Sequence, residues 1–148
     1  MTGIIKSVMI NAGCSLLRTS SPFRPLLAVT TILVVDDEYL IADILCFALE
    51  DEGFMVVTAS NGRKGLEVLN REQPALIITD FMMPVMDGLE FATAVRALPC
   101  AKHLPIILMS GAQAHIGMQR SDLFDAVLAK PFNIDLIIVE VRKLLALG

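Results

Sequence analysis

Cysteine is scarce in this chain. Cys14, Cys46 and Cys100 are the only three in 148 residues, and no C-x-x-C spacing occurs. An odd count without that spacing gives no basis for a disulfide framework or a zinc site, and it fits a reducing, cytoplasmic compartment. Cys46 falls on a helical face and reads as a small core residue. Tryptophan is absent. No uncharged apolar run approaches the roughly 20 residues that span a bilayer, so membrane insertion is not expected. Positive charge is in short supply too. The net charge is −4, and a chain of that sign is not expected to bind nucleic acid non-specifically. No helix-turn-helix segment follows the last predicted helix, and there is neither an internal repeat nor a low-complexity stretch.

What the chain has is apolar material, 55% of its residues, and enough length for one ordinary domain with a buried core. Its charge is unevenly placed. Residues 1–35 carry Lys6, Arg18 and Arg24 and no acid, so the acidic excess lies wholly in the rest. Residues 8–17, VMINAGCSLL, faintly resemble an export signal. Asn11 stands where a lipoprotein site wants an aliphatic residue, and Asn11 and Gly13 break the apolar run. Residues 1–29 are therefore expected to be a leader, mobile or loosely packed. Ser20, Ser21, Pro22 and Pro25 mark its end as a linker, and residues 30–148 are expected to form the domain.

From Thr31 the pattern alternates. Ile32–Val35 is a β-branched apolar run of the kind buried on both faces of a sheet. Leu40–Glu50 has helical apolar spacing, and Gly53 ends it. Phe54–Ala59 reads as a second strand, and Asn61 as the cap of a helix through Leu66 and Leu69. Ala75–Thr79 is the third strand, and Leu89–Leu98 the next helix. Ile106–Met109 follows Pro105 as the fourth strand. Gly111–Asp122 is a weak helix interrupted by Gly117. Ala126–Ala129 is a fifth, short strand, and Asn133 caps a last helix, Ile134–Leu147. Five such alternations predict an α/β fold with right-handed crossovers and a parallel sheet covered on both faces.

Polar residues stand at the ends of four of these apolar runs: Asp36 and Asp37, Asp80, Ser110 and Lys130. In open parallel sheets ligands bind beyond the carboxyl ends of the strands, so the fold brings these residues together across some ninety positions. Three carboxylates at one spot repel one another, and a hard divalent cation relieves that repulsion. Mg²⁺ suits an all-oxygen site with open water positions. A lysine supplies a fixed charge for phosphate, and a serine supplies a hydrogen bond. A carboxylate can accept a phosphoryl group as an acyl phosphate, in a reaction that rests on positioning and charge neutralisation.

The motifs ILVVDDE, ITDFMMPVMDG, PIILMSG and LAKPF occur in that order. On them, residues 31–147 resemble the receiver domain of two-component response regulators, of the stand-alone type. The resemblance implies a five-stranded, doubly wound, flavodoxin-like sheet of order 2-1-3-4-5. It implies that Asp80 is phosphorylated by a histidine kinase or phosphotransfer protein, and that the domain then signals by binding a protein target. It makes Asp36, Asp37, Asp80 and the backbone carbonyl of Met82 the Mg²⁺ site, Lys130 the partner of the acyl phosphate, and Ser110 its hydrogen-bond donor. The Lys130-Pro131 bond is expected to be cis. The domain is thus expected to be a phosphoacceptor rather than an enzyme.

Taken singly, these residues have plainer readings. Asp36 could cap a helix, Lys130 could be a solvated strand end, Ser110 a turn residue, and Met83 and Met86 core filler. Their coincidence in four loops decides against those readings for the polar set. Some positions depart from the family. Receivers usually carry Tyr or Phe three residues before the lysine, and here Val127 stands there, so an altered readout is expected. Phe124 lies close by as a candidate substitute, but its position is wrong for a direct carry-over. Phe124-Asp125 replaces a usual Gly-Ala pair, so no dimer geometry is carried over; a homodimer is allowed but not predicted. Met82 and Ala112 replace polar residues that orient the hydrolytic water, so a long-lived acyl phosphate is expected. A phosphate-independent scaffold is the alternative. An aspartyl-phosphate phosphohydrolase is disfavoured, because that class needs a second Asp where this chain has Met82.

Overall fold

In this structure, a computed structural model, residues 29–112 and 114–147 are described. The expected leader falls outside them apart from Val29. Each apolar run becomes a strand: β1 (Thr31–Val35), β2 (Met55–Ala59), β3 (Leu76–Asp80), β4 (Ile106–Ser110) and β5 (Ala126–Ala129). The helices are α1 (Tyr39–Asp51), α2 (Gly62–Glu72), α3 (Gly88–Arg96), α4 (Ala114–Met118) and α5 (Ile134–Leu147), with a 3₁₀ turn at Pro99–Ala101. All strand pairs are parallel, and the order β2-β1-β3-β4-β5 is the one expected.

The continuous apolar runs follow from burial on both faces. Along β1, Leu33 and Val35 join the core under α2 and α3, with Val68, Leu69, Phe91 and Val95. Ile32 and Val34 join the core under α1 and α5, with Leu45, Leu49, Ile137 and Val141. Strands β3 and β4 alternate in the same way, through Ile77, Ile106 and Leu108 on one side and Leu76, Ile78, Ile107 and Met109 on the other. Emptying one of these fully buried positions to alanine would cost about 2–5 kcal/mol.

Local chemistry sets the helix ends. Gly53 takes a φ of 96° directly after α1, a conformation that favours glycine. The Asn61 side chain accepts a hydrogen bond from the Lys64 N–H and caps α2. Asp87 and Glu90 form a reciprocal capping box on α3. Asn133 Oδ1 accepts from the Asp135 N–H at 2.7 Å, as a cap of α5 should.

Two expectations need correction. The helix expected over Gly111–Asp122 is real only over Ala114–Met118. Gly117 does more there than interrupt: it is buried, and a Cβ on it would overlap Leu108. Phe124 is 4% exposed and belongs to the core, so it is no substitute for a mobile aromatic. Met83 is buried and Met86 packs against the same core, as expected. Cys46 is a free thiol. No helix among the described residues is long and apolar enough to cross a membrane.

Candidate functional site

The strand ends place the polar residues. Strand β3 runs one residue further than expected and ends in Asp80, which is 6% exposed. Asp36 follows β1 and is buried, while Asp37 beside it is exposed. One carboxylate oxygen from each of Asp36, Asp37 and Asp80 falls within 4.8 Å of the others. Lys130 follows β5, and its Nζ lies 3.0 Å from Asp80 Oδ1. The Lys130-Pro131 bond is cis. Ser110 ends β4 and is 1% exposed. In register, Asp80 stands opposite Met109, so Ser110 lies one residue beyond it on the neighbouring strand.

Burial sets the electrostatics. It pushes the Asp36 carboxyl up to about 6; the charges of Asp80 and Asp37 push the same way, while the Glu38 N–H and Lys130 oppose them. Burial also pushes Asp80 up, against the pull of Lys130 and the Phe81 N–H. Burial alone would lower the Lys130 ammonium, but the Asp80 hydrogen bond and charge outweigh it, and the net shift is upward. The lysine therefore stays charged, and one cation does not compensate the crowded acids.

Two buried atoms are left over. Asp36 Oδ1 accepts from the Glu38 N–H at 2.9 Å, but its Oδ2 has no partner among the described residues, and neither has Ser110 Oγ. An orphaned buried oxygen costs about 1–3 kcal/mol. Such atoms are found where a ligand completes the set. A hard cation fits the Asp36 oxygen, since the donors around it are all carboxylates.

The loop after Asp80 is pinned from behind. The Gly88 N–H donates to the Phe81 carbonyl at 2.7 Å, and a Cβ on Gly88 would strike the Asp80 carbonyl. The Thr79 hydroxyl donates to that same carbonyl at 2.9 Å. Within the loop Val85 holds a φ of 73°, which costs a β-branched residue on the order of 1–3 kcal/mol. Met82 lies here, two residues past Asp80, with its side chain 60% exposed.

Sequence reasoning missed Thr79, whereas Gly88 reads from the sequence as a shaper of this loop together with Pro84. It also missed Arg96 and Asp125. The Arg96 guanidinium donates to the carbonyls of Leu104 at 2.6 Å and Leu123 at 2.7 Å, and to Asp125 Oδ2 at 3.0 Å. Asp125 Oδ2 also accepts from the Ile106 N–H at 2.9 Å. These groups lie at the amino ends of β4 and β5, opposite the acidic cluster, and the unusual Asp125 thereby gains a structural reason. Val127 is half-buried against the core.

Comparison with known proteins agrees with this fold. The family model described as the response regulator receiver domain matches residues 32–142. An uncharacterized 14.6 kDa protein of Leptolyngbya boryana is 46% identical over 84 residues, which cover 57% of this chain and 64% of that protein. The sporulation initiation phosphotransferase F of Bacillus subtilis is 33% identical over 118 residues, covering 78% of this chain and 94% of that protein. The solved structure of the chemotaxis protein CheY4 of Vibrio cholerae matches with a TM-score of 0.74 at 31% identity, over 79% of this chain and 99% of that one. The chain belongs to the family of response regulator receiver domains.

Proposed function

We propose that this chain accepts a phosphoryl group on Asp80 from a phosphohistidine of a histidine kinase or phosphotransfer protein, and signals by binding a protein target in the phosphorylated state. An Asp80 carboxylate oxygen attacks phosphorus, the P–N bond to the donor imidazole breaks, and an acyl phosphate forms as the imidazole leaves with the bond electrons. The 3.0 Å Lys130–Asp80 pair supports this reading, since a phosphoryl group on Asp80 would have a cation beside its oxygens. Ser110 Oγ supplies a hydrogen bond it cannot make within the described protein. Asp36, Asp37, Asp80 and the Met82 carbonyl would hold Mg²⁺, which when bound neutralises charge on the carboxylates and the phosphoryl group. The chain's own acids remain responsible for holding that cation, and Lys130 for orienting Asp80.

The observation that carries this reading is the pair of buried, unpartnered oxygens, Asp36 Oδ2 and Ser110 Oγ, flanking an acid already paired with lysine. A core built for stability alone would not retain both. A phosphohydrolase reading gains no support, since position 82 offers only an exposed Met side chain. A protein donor fits the surface beside the site. Helix α1 starts two residues past Asp37 and leaves Leu40, Ile44 and Phe47 exposed on successive turns, facing away from the buried Ala42, Leu45 and Leu49. We assign the histidine-bearing donor to that stripe, because it begins with Leu40, three residues past Asp37.

Incubation with acetyl phosphate and Mg²⁺, followed by intact mass, tests the site. A gain of one phosphoryl group is expected, lost in Asp80→Asn and on chelation of the metal. An Asp80→Asn chain that gains the same mass would overturn the assignment.

A further inference from the structure

Ser110 closes β4, and strand alternation places it on the same side of the sheet as Leu108. Leu108 stands opposite Val127 in the β4–β5 register. Helix α4 lies over this pair with Gly117 turned inward. A Cβ at Gly117 would overlap Leu108 Cδ2 and come within 3.1 Å of Val127 Cγ2. The helix backbone therefore rests directly on two branched side chains. Close-packed contacts of this kind transmit displacement rather than absorb it, and a β-branched valine has little χ1 freedom with which to yield.

The path from Ser110 to this contact is short. Gly111 and Ala112 are exposed, and the Ala114 N–H donates to the Gly111 carbonyl at 3.2 Å. The helix itself is only five residues long, too short to hold its place without the sheet beneath it.

Resting on the reading that a phosphoryl group on Asp80 engages Ser110, we propose that Gly117 is a positioning residue that seats the α4 backbone on Leu108 and Val127. Through this seat α4 follows any shift of β4 toward the phosphoryl group. The exposed side of α4, with His115 and Met118, then changes position by backbone contact, without a side chain swinging at Val127. Residue 117 has to lack a Cβ for this, because a methyl group there would lift the helix off Leu108.

The test uses the full chain, with beryllofluoride and Mg²⁺ as the probe. Calorimetry gives the probe's affinity, and hydrogen exchange reads the amides of residues 111–120. In the wild type, exchange there should change several-fold on binding. Gly117→Ala should bind the probe with near wild-type affinity yet lose most of that change. Gly117→Ala combined with Leu108→Val, which removes the atom the new methyl would strike, should recover it. Should Gly117→Ala fold poorly, Val127→Ala loosens the seat without adding an atom and should weaken the response. A wild-type exchange response in either single variant, or a double variant that recovers nothing, overturns the proposal. If Asp80→Asn binds the probe as tightly as the wild type, the phosphoacceptor reading fails and this proposal falls with it.

Discussion

Lys130 reaches two strand ends at once: its Nζ lies 3.0 Å from Asp80 Oδ1, and its backbone N–H donates to the Ser110 carbonyl at 2.9 Å. The same residue therefore opposes the effect of burial on the acid and ties the end of β5 to the end of β4. Burial pushes the Asp80 carboxyl up, and the lysine is the only cation among its largest opposing causes. A buried acid without such a partner would protonate or destabilise the fold.

Replacing Lys130 by Met keeps the stem and removes the charge. A charge-assisted hydrogen bond is worth about 1.5–3 kcal/mol, so phosphorylation of Asp80 by acetyl phosphate should slow by about ten- to a hundredfold. Intact mass against time measures it, and an unchanged rate would remove Lys130 from the mechanism.

Asp36 makes a prediction of the opposite sign for stability. It is buried, one of its oxygens is unpartnered, and it shares a 4.8 Å cluster with two other acids. Without a cation its charge works against folding. Asp36→Asn should be more stable than the wild type in chelator, by about 1–2 kcal/mol on the scale of buried polar groups. Mg²⁺ should then reverse the order. Ligand at a hundred times its dissociation constant stabilises the wild type by about 2.7 kcal/mol, and the variant should gain much less. Urea melts with and without Mg²⁺ decide it; a variant that gains as much as the wild type would show that Asp36 holds no metal.

Arg96 and Asp125 belong to stability and not to the site. Together they satisfy the Leu104 and Leu123 carbonyls and the Ile106 N–H. Arg96→Ala or Asp125→Ala should cost about 2–4 kcal/mol, as expected when one partner leaves several hydrogen-bonded groups stranded. The double variant should cost less than the sum, because each single change already breaks the same network. Phosphorylation of the folded fraction should be unaffected; a loss there would mean that this end of the sheet communicates with Asp80.

The sheet and the acidic cluster were legible because their signals are local. Ile32–Val35 and Ile106–Met109 announce strands buried on both faces, and a polar residue directly behind such a run can only sit at a strand end. The Arg96–Asp125 link had no such signal. The two residues are 29 positions apart, and neither position has a periodic pattern. The length of α4 was misread for a related reason. Gly117 reads as an interruption of residues 111–122, but it lies buried within a short helix against Leu108 and Val127, a tertiary contact with no sequence period. Phe124 looked available as a mobile aromatic because sequence proximity to Val127 says nothing about burial.

The polarity of two loop positions bears on how long the signal lasts. Met82 is exposed beside Asp80, and Ala112 is exposed just past Ser110. Neither side chain can hold a water by a strong hydrogen bond. Hydrolysis of the acyl phosphate should be slow, and Met82→Asn should shorten its lifetime by up to about tenfold, the worth of one neutral hydrogen bond to the attacking water. Phosphate release after removal of acetyl phosphate measures both. Wild-type decay within seconds would overturn the expectation.

If the donor docks on the exposed α1 stripe, as proposed, docking and chemistry are separable by experiment. Leu40 is 75% and Phe47 72% exposed, a poor use of apolar surface unless a partner covers it. Acetyl phosphate needs only the acidic cluster, whereas a phosphohistidine protein must also dock. Phe47→Asp should therefore leave acetyl phosphate labelling at the wild-type rate and lower transfer from a phosphorylated histidine donor by about tenfold or more, the loss of a single interface anchor. Loss of both activities would mean that the substitution damages the fold. Loss of neither would move the donor away from α1, leaving the stripe without a role in phosphotransfer.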